Sequence, residues 1–198
     1  MALDFDFRRA AVLPMDIQRG VVSVYIKDDG LVGRVAAVLR HTRQQRLTVI
    51  HVKVAFRPGV PEASRCNMFL SAVKASPPHQ RFFQGDSGAI HPGVGAEDTD
   101  LTVTKTHVSA FAGTDLDLLL RAQGVETVIL FGITTSGVVL STALQAADLD
   151  YRVVVVKDCC ADLDADVHAC LIEKILPRQA QVISSSDFLG ESKSVASG

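Results

Sequence analysis

The sequence predicts an α/β fold of the doubly wound type, a mainly parallel six-stranded sheet with helices on both faces. Apolar, β-branched runs alternate along the chain with stretches of helical periodicity. That alternation builds parallel strands joined by right-handed crossovers. One run, residues 151–156, ends in four consecutive valines, as a strand buried on both faces does. Residues 131–143 pass from an apolar run through a turn of small residues, Gly132-Ile133-Thr134-Thr135-Ser136-Gly137, into an apolar helix. In an open α/β sheet such a junction lies at the carboxyl end of the strands, where ligands bind.

In order along the chain, residues 10–16 read as strand one, ending on the carboxylate of Asp16, with the donor-less Pro14 kept near its end. Apolar residues at 31, 32, 35, 36, 38 and 39 predict a helix over 31–44. Residues 47–56 are strand two. Residues 57–99 hold five of the seven prolines and, apart from a short helix at 67–74, read as a long loop. A loop of that length is usually a lid or pocket wall. Strand three spans 101–104, with Lys105 just past it. Thr114 is the expected N-cap of a helix over 115–123, and Gly124 its stop. Strand four spans 127–131, and the helix after the turn runs over 136–147. Strand five is 151–156, a helix over 164–176 is closed by Pro177, and strand six is 180–184. The polar tail 191–198 is expected to be mobile, leaving one domain over 1–190.

Composition narrows the function classes. A chain of 198 residues, 47% hydrophobic and with net charge -2, fits one soluble globular domain and argues against a nucleic-acid-binding surface. Asp4 and Asp6 stand where a signal peptide carries bases, and no run approaches the roughly 18 apolar residues of a membrane helix. Cys66, Cys159, Cys160 and Cys170 form no C-x-x-C pair, so free thiols in a reducing cytoplasm are expected.

Asp16, Lys105 and the 132–138 turn all stand at carboxyl ends of strands, and in a doubly wound sheet these ends converge on one crevice. An acid and a lysine meeting there form either a proton-transfer pair or an ion pair that fixes two loops. Cys159 and Cys160 follow strand five and could approach the crevice, although buried thiols usually only pack. His51 lies inside a strand, where a backbone partner is the usual arrangement, and His79 and His91 are scattered in the loop. No coherent ligand set results, and no metal is expected. Of the loop aromatics Phe69, Phe82 and Phe83, two are expected to pack the loop and one to wall a pocket. Asp158 and Asp162 are expected to fix turns, and His168 to lie on an exposed helical face.

Four segments, Met15-Asp16-Ile17-Gln18, then 104–111 (TKTHVSAF), then 132–143 (GITTSGVVLSTA), then 157–162 (KDCCAD), occur in the order seen in one family. Over roughly residues 9–188 the chain resembles the isochorismatase-like superfamily of cysteine hydrolases. The resemblance implies a Rossmann-like, six-stranded parallel sheet and an Asp-Lys-Cys triad. Asp16 and Lys105 match its first two members, and the nucleophile position falls on Val138. It further implies a cis peptide at Ile133-Thr134, an oxyanion-binding turn of Ile133, Thr134 and Val138, and a substrate pocket including Gln18, Phe111 and Thr135. A small-molecule substrate, no cofactor and a homodimer or homotetramer follow from it as well. The histidine-rich metal group of the superfamily's nicotinamidases is missing.

Valine cannot attack a carbonyl, so the covalent route of the cysteine members is closed. Isochorismatases of the superfamily also lack the cysteine. They carry glycine there and use the aspartate to protonate an enol ether. The expected function is therefore hydrolysis of an isochorismate-like enol ether by Asp16 as general acid with Lys105 as its charge partner. Two alternatives are a catalytically silent member that binds a ligand or partner, and a displaced nucleophile at Cys159 or Cys160.

Overall fold

The computed structural model describes residues 7–26 and 30–190. Among these, six strands form one all-parallel sheet: β1 (Ala10–Met15), β2 (Thr48–Val54), β3 (Leu101–Lys105), β4 (Thr127–Gly132), β5 (Arg152–Val156) and β6 (Gln181–Ile183). Their order across the sheet is β3-β2-β1-β4-β5-β6. The chain winds outward from β1 to β3, returns to lay β4 beside β1, and winds outward again. The reversal between β1 and β4 is the switch point at which such sheets bind ligands. Every residue of β1 and β4 is buried, which is why both segments are continuous apolar runs rather than alternating ones. Pro14 is accommodated inside this central strand: β1 pairs with β4 throughout, while its pairing with β2 lapses at Leu13 and Pro14.

Helices cover both faces: α1 (Arg19–Tyr25), α2 (Gly30–Gln44), α3 (Met68–Ala75), α4 (Pro77–Arg81), α5 (Leu116–Ala122), α6 (Leu140–Asp148), α7 (Ala165–Cys170) and α8 (Ser185–Leu189). α1, α4 and α8 were not expected from periodicity. α1 is Arg-Gly-Val-Val-Ser-Val-Tyr, a β-branched stretch that is helical because the fold overrides its local preference. α4 and α8 are five residues each, too short for a period to show. α5 begins at Leu116 with Asp115 as the cap residue. Thr114 still accepts the Leu116 amide (3.2 Å) and donates to the Ala110 carbonyl (2.6 Å), so it anchors the helix entrance from one residue earlier than expected. The expected helix over 164–176 is capped by Asp164 but widens after Cys170 into a π turn, Leu171–Ile175.

The segment 57–99 is not a bare loop. It carries α3 and α4 and then runs back against α1, where the Arg19 and Gly20 amides donate to the Ala89 and Ser87 carbonyls at 3.0 and 2.9 Å. It thereby roofs the carboxyl ends of β1, β2 and β3. No described helix is long and apolar enough to cross a membrane. The tail 191–198 lies outside the described residues.

Candidate active site

Asp16 directly follows β1 with φ 57°, the left-handed region, and its amide donates to the Val52 carbonyl at 2.8 Å. That turn aims its carboxylate across β2 toward the last residue of β3. Lys105 meets it there, its Nζ 2.8 Å from Asp16 Oδ2, and donates also to the His107 carbonyl at 3.1 Å. Both side chains are buried. Asp16 Oδ1, equally buried, has no hydrogen-bond partner among the described residues. Burial pushes the Asp16 carboxyl up from its ordinary value, and the charge and hydrogen bond of Lys105 offset only part of that.

The pair forms the floor of a cavity of about 490 Å³. Its far wall is the turn after β4. Ile133-Thr134 is a cis peptide, as the family motif implies. Thr134 Oγ1 accepts the Gly137 amide (3.0 Å), and the chain then passes through a π turn, Thr135–Val139, before α6 begins. The loop after β5 holds the outside of this turn. The Thr135 amide donates to the Ala161 carbonyl (2.9 Å), the Ser136 amide to Asp162 Oδ2 (2.7 Å), and Thr135 Oγ1 lies 2.8 Å from His168 Nδ1. Ile133, Thr134 and Val138 face the cavity together with Asp16 and Lys105. The structure thus brings these five predicted residues to one place.

Three predicted pocket residues lie elsewhere. Gln18 is fully buried beneath the roof rather than open to substrate. Its Nε2 donates to the carbonyls of Val54 (2.9 Å) and Gly88 (2.8 Å), and its Oε1 accepts the Val54 amide (2.8 Å). It joins the end of β2 to the 57–99 segment, so Gln18→Leu is expected to cost about 3 kcal/mol by stranding three backbone groups, read as a lowered urea midpoint. Phe111 turns into the core and stacks on Tyr151, with ring centroids 5.9 Å apart. Thr135 faces away from the cavity, toward His168, which is accordingly half-buried rather than on an exposed face.

The cavity also takes residues that the sequence did not single out. Val21 and Tyr25 come from the unexpected α1, Val54 from the end of β2, and Ser141 from the second position of α6. Phe69 and Phe83 both line it, so more of the loop aromatics wall a cavity than expected.

The remaining candidates separate on burial. Cys159 and Cys160 are both buried, and burial pushes both thiols up, that of Cys160 to about 12. Cys160 Sγ donates to the Val156 carbonyl. Neither supplies a thiolate at neutral pH. His51 is partnered by a carboxylate, not the expected backbone group: its Nε2 lies 3.0 Å from Asp100 Oδ2, and Asp100 is also gripped by Arg43. Burial holds the imidazole below its ordinary 6.5 despite Asp100. The unfolded chain therefore takes up this proton first as pH falls. Stability from His51 is complete above pH 6.5 and is lost as pH drops through the lower folded value. Thermal unfolding should show this decline, and His51→Gln should remove it. Among the described residues no three His, Cys, Asp or Glu side chains are grouped to hold a metal.

An isochorismatase domain matches residues 10–187. The chain is 31% identical over 198 residues to the uncharacterized isochorismatase family protein YwoC of Bacillus subtilis (strain 168), covering 96% of this chain and 98% of that one. It is 27% identical over 195 residues to maleamate amidohydrolase of Pseudomonas putida, covering 96% and 89%. The structure of an isochorismatase family protein from Burkholderia thailandensis superposes with a TM-score of 0.83 at 30% identity, over 94% of this chain and 97% of that one. In sequence and in fold, the chain belongs to the isochorismatase family, within the cysteine hydrolase superfamily.

Proposed function

We propose that this protein hydrolyses a small-molecule enol ether, the linkage found in isochorismate, by acid–base chemistry with no covalent intermediate. The observation that carries the reading is the buried Asp16 carboxyl at the cavity floor, held through Oδ2 by Lys105 while Oδ1 has no partner. Burial favours its protonated form, and a protonated carboxyl with a free oxygen is a general acid. Asp16 gives its proton to the terminal vinyl carbon, whose π electrons form the new C–H bond, and the ether oxygen shares the resulting positive charge. Water adds to the internal carbon and loses a proton to the Asp16 carboxylate. Asp16, reprotonated by that water, then gives its proton to the ether oxygen as the hemiketal C–O bond breaks and takes the proton of the remaining hydroxyl, so that an alcohol and a ketone leave and the acid is restored. Lys105 holds the carboxylate in place throughout. The Thr134 and Val138 amides take the developing charge on the departing alcohol oxygen.

Val138 supports the non-covalent route, because on the family motif it holds the nucleophile position and offers no electron pair. The test is ketone release from enol ethers by the purified protein. Val138 also favours the second reading, a silent member that only binds. On our reading the site is intact apart from the thiol. Val138→Cys should therefore form an acyl-enzyme with an activated amide, visible in intact-mass spectra, and the parent protein should form none. A parent adduct would return Cys159 and Cys160 to consideration.

A further inference from the structure

The turn after β4 and the start of α6 present three hydroxyls to the cavity, those of Thr134, Ser136 and Ser141. Thr134 Oγ1 accepts the Gly137 amide and so serves the turn itself. Ser136 is exposed, open to bulk water. Ser141 differs from both. It is half-buried, and its side chain makes no hydrogen bond to any described residue. Its oxygen is not sealed in protein either, so it opens onto the cavity that the residue lines.

The neighbouring polar side chains of α6 do structural work. Thr142 Oγ1 accepts the Ala110 amide at 3.0 Å, and Gln145 Oε1 accepts the Ser109 hydroxyl at 2.6 Å, so both tie the helix to the loop beyond Lys105. Ser141 ties α6 to nothing, and serine is a poorer helix former than alanine. The hydroxyl therefore adds nothing to the fold that alanine would not supply better. Its place relative to the chemistry is set by Val138, which lines the same cavity three residues earlier. Side chains so spaced on a helix have Cβ atoms roughly 5–6 Å apart. With the departing alcohol oxygen at the Val138 amide, the alcohol half of the substrate lies against Ser141.

We infer that Ser141 determines specificity by hydrogen-bonding a second hydroxyl on the alcohol half of the substrate, a carbon or two from the ether oxygen. This rests on the reading of the Asp16–Lys105 cavity as the site of enol-ether cleavage. A substrate without that hydroxyl would strip Ser141 of water and leave its oxygen unpaired, which is how a polar group in a pocket rejects an analogue lacking its partner.

The test is titration of the ¹⁵N-labelled full-length protein with the cis and trans isomers of cyclohexane-1,2-diol and with cyclohexanol, affinities being read from amide chemical shifts. At least one diol isomer should bind and move the amides of residues 134–141. Ser141→Ala should weaken that isomer about fivefold, the net worth of one hydrogen bond, and leave cyclohexanol unchanged. The urea midpoint of Ser141→Ala should be equal to or above that of the parent, because no protein contact is lost. No diol binding, a diol affinity that survives Ser141→Ala, an equal loss for diol and cyclohexanol, or a lowered urea midpoint would overturn the inference. Failure of the enol-ether reaction shows only in turnover and leaves these affinities where they are, so the two claims fail separately.

Discussion

Asp16→Asn is expected to lower kcat/KM for an enol ether by about 10²–10⁴-fold, the usual worth of a positioned general acid, with the fold intact. Asparagine is the informative replacement because Asp16 has φ 57°, a conformation that asparagine adopts readily and alanine does not. Its amide oxygen can still accept from Lys105, so the lysine keeps a hydrogen bond in its buried position. What disappears is the transferable proton. A structural ion pair tying β1 to β3 would instead show its loss in the unfolding midpoint and leave turnover, if any, near normal. Steady-state kinetics together with urea unfolding on one preparation separate the two. Hydrolysis that survives the substitution removes Asp16 from the mechanism.

Gly132→Ala is expected to destabilise the protein by about 3 kcal/mol and to abolish activity with it. Gly132 ends β4 at φ 154°, where a side chain is strained in any surroundings. The surroundings add a clash: a Cβ would press on the Met15 carbonyl, 2.9 Å from its carbon and closer still to its oxygen. Neither is the end of a flexible side chain. Met15 O also accepts the Ile133 amide at 3.2 Å, so pushing it away loosens the join between β1 and β4. Asp16 is the next residue on one strand, and the cis peptide begins one residue on along the other. The cost therefore falls on the two elements that hold the acid and the turn. Urea titration should give a lower midpoint at an unchanged slope, since the surface exposed on unfolding stays the same.

These two positions show why part of the molecule was legible from its sequence. The strands lie in one parallel sheet buried on both faces, which imposes continuous apolar runs. The residues just beyond β1, β3 and β4 had to converge once the crossovers were right-handed. Asp16, Lys105 and the 132–138 turn were therefore readable together. Gln18 was misread because its partners lie 36 and 70 residues away, and nothing local distinguishes a buried amide clamp from a pocket amide. Thr135 was misread for the same reason, its partner His168 being 33 residues distant. Tyr25 and Val21 were missed because α1 is rich in β-branched residues, and its first amides are satisfied by the distant 57–99 segment rather than by a local cap. Phe111 follows the motif that carries Lys105, but the turn between them points its ring to Tyr151 and the core.

The central claim, that Asp16 works as an acid, is tested most directly by the pH dependence of kcat/KM for an uncharged enol ether. An acid must hold its proton to act. The rate should be flat at low pH and fall tenfold per pH unit above the Asp16 value, which burial sets above the ordinary 3.8. Asp16→Asn should remove that limb along with most of the rate. A rate that rises with pH through the same range, as a base or thiolate mechanism requires, would contradict the account.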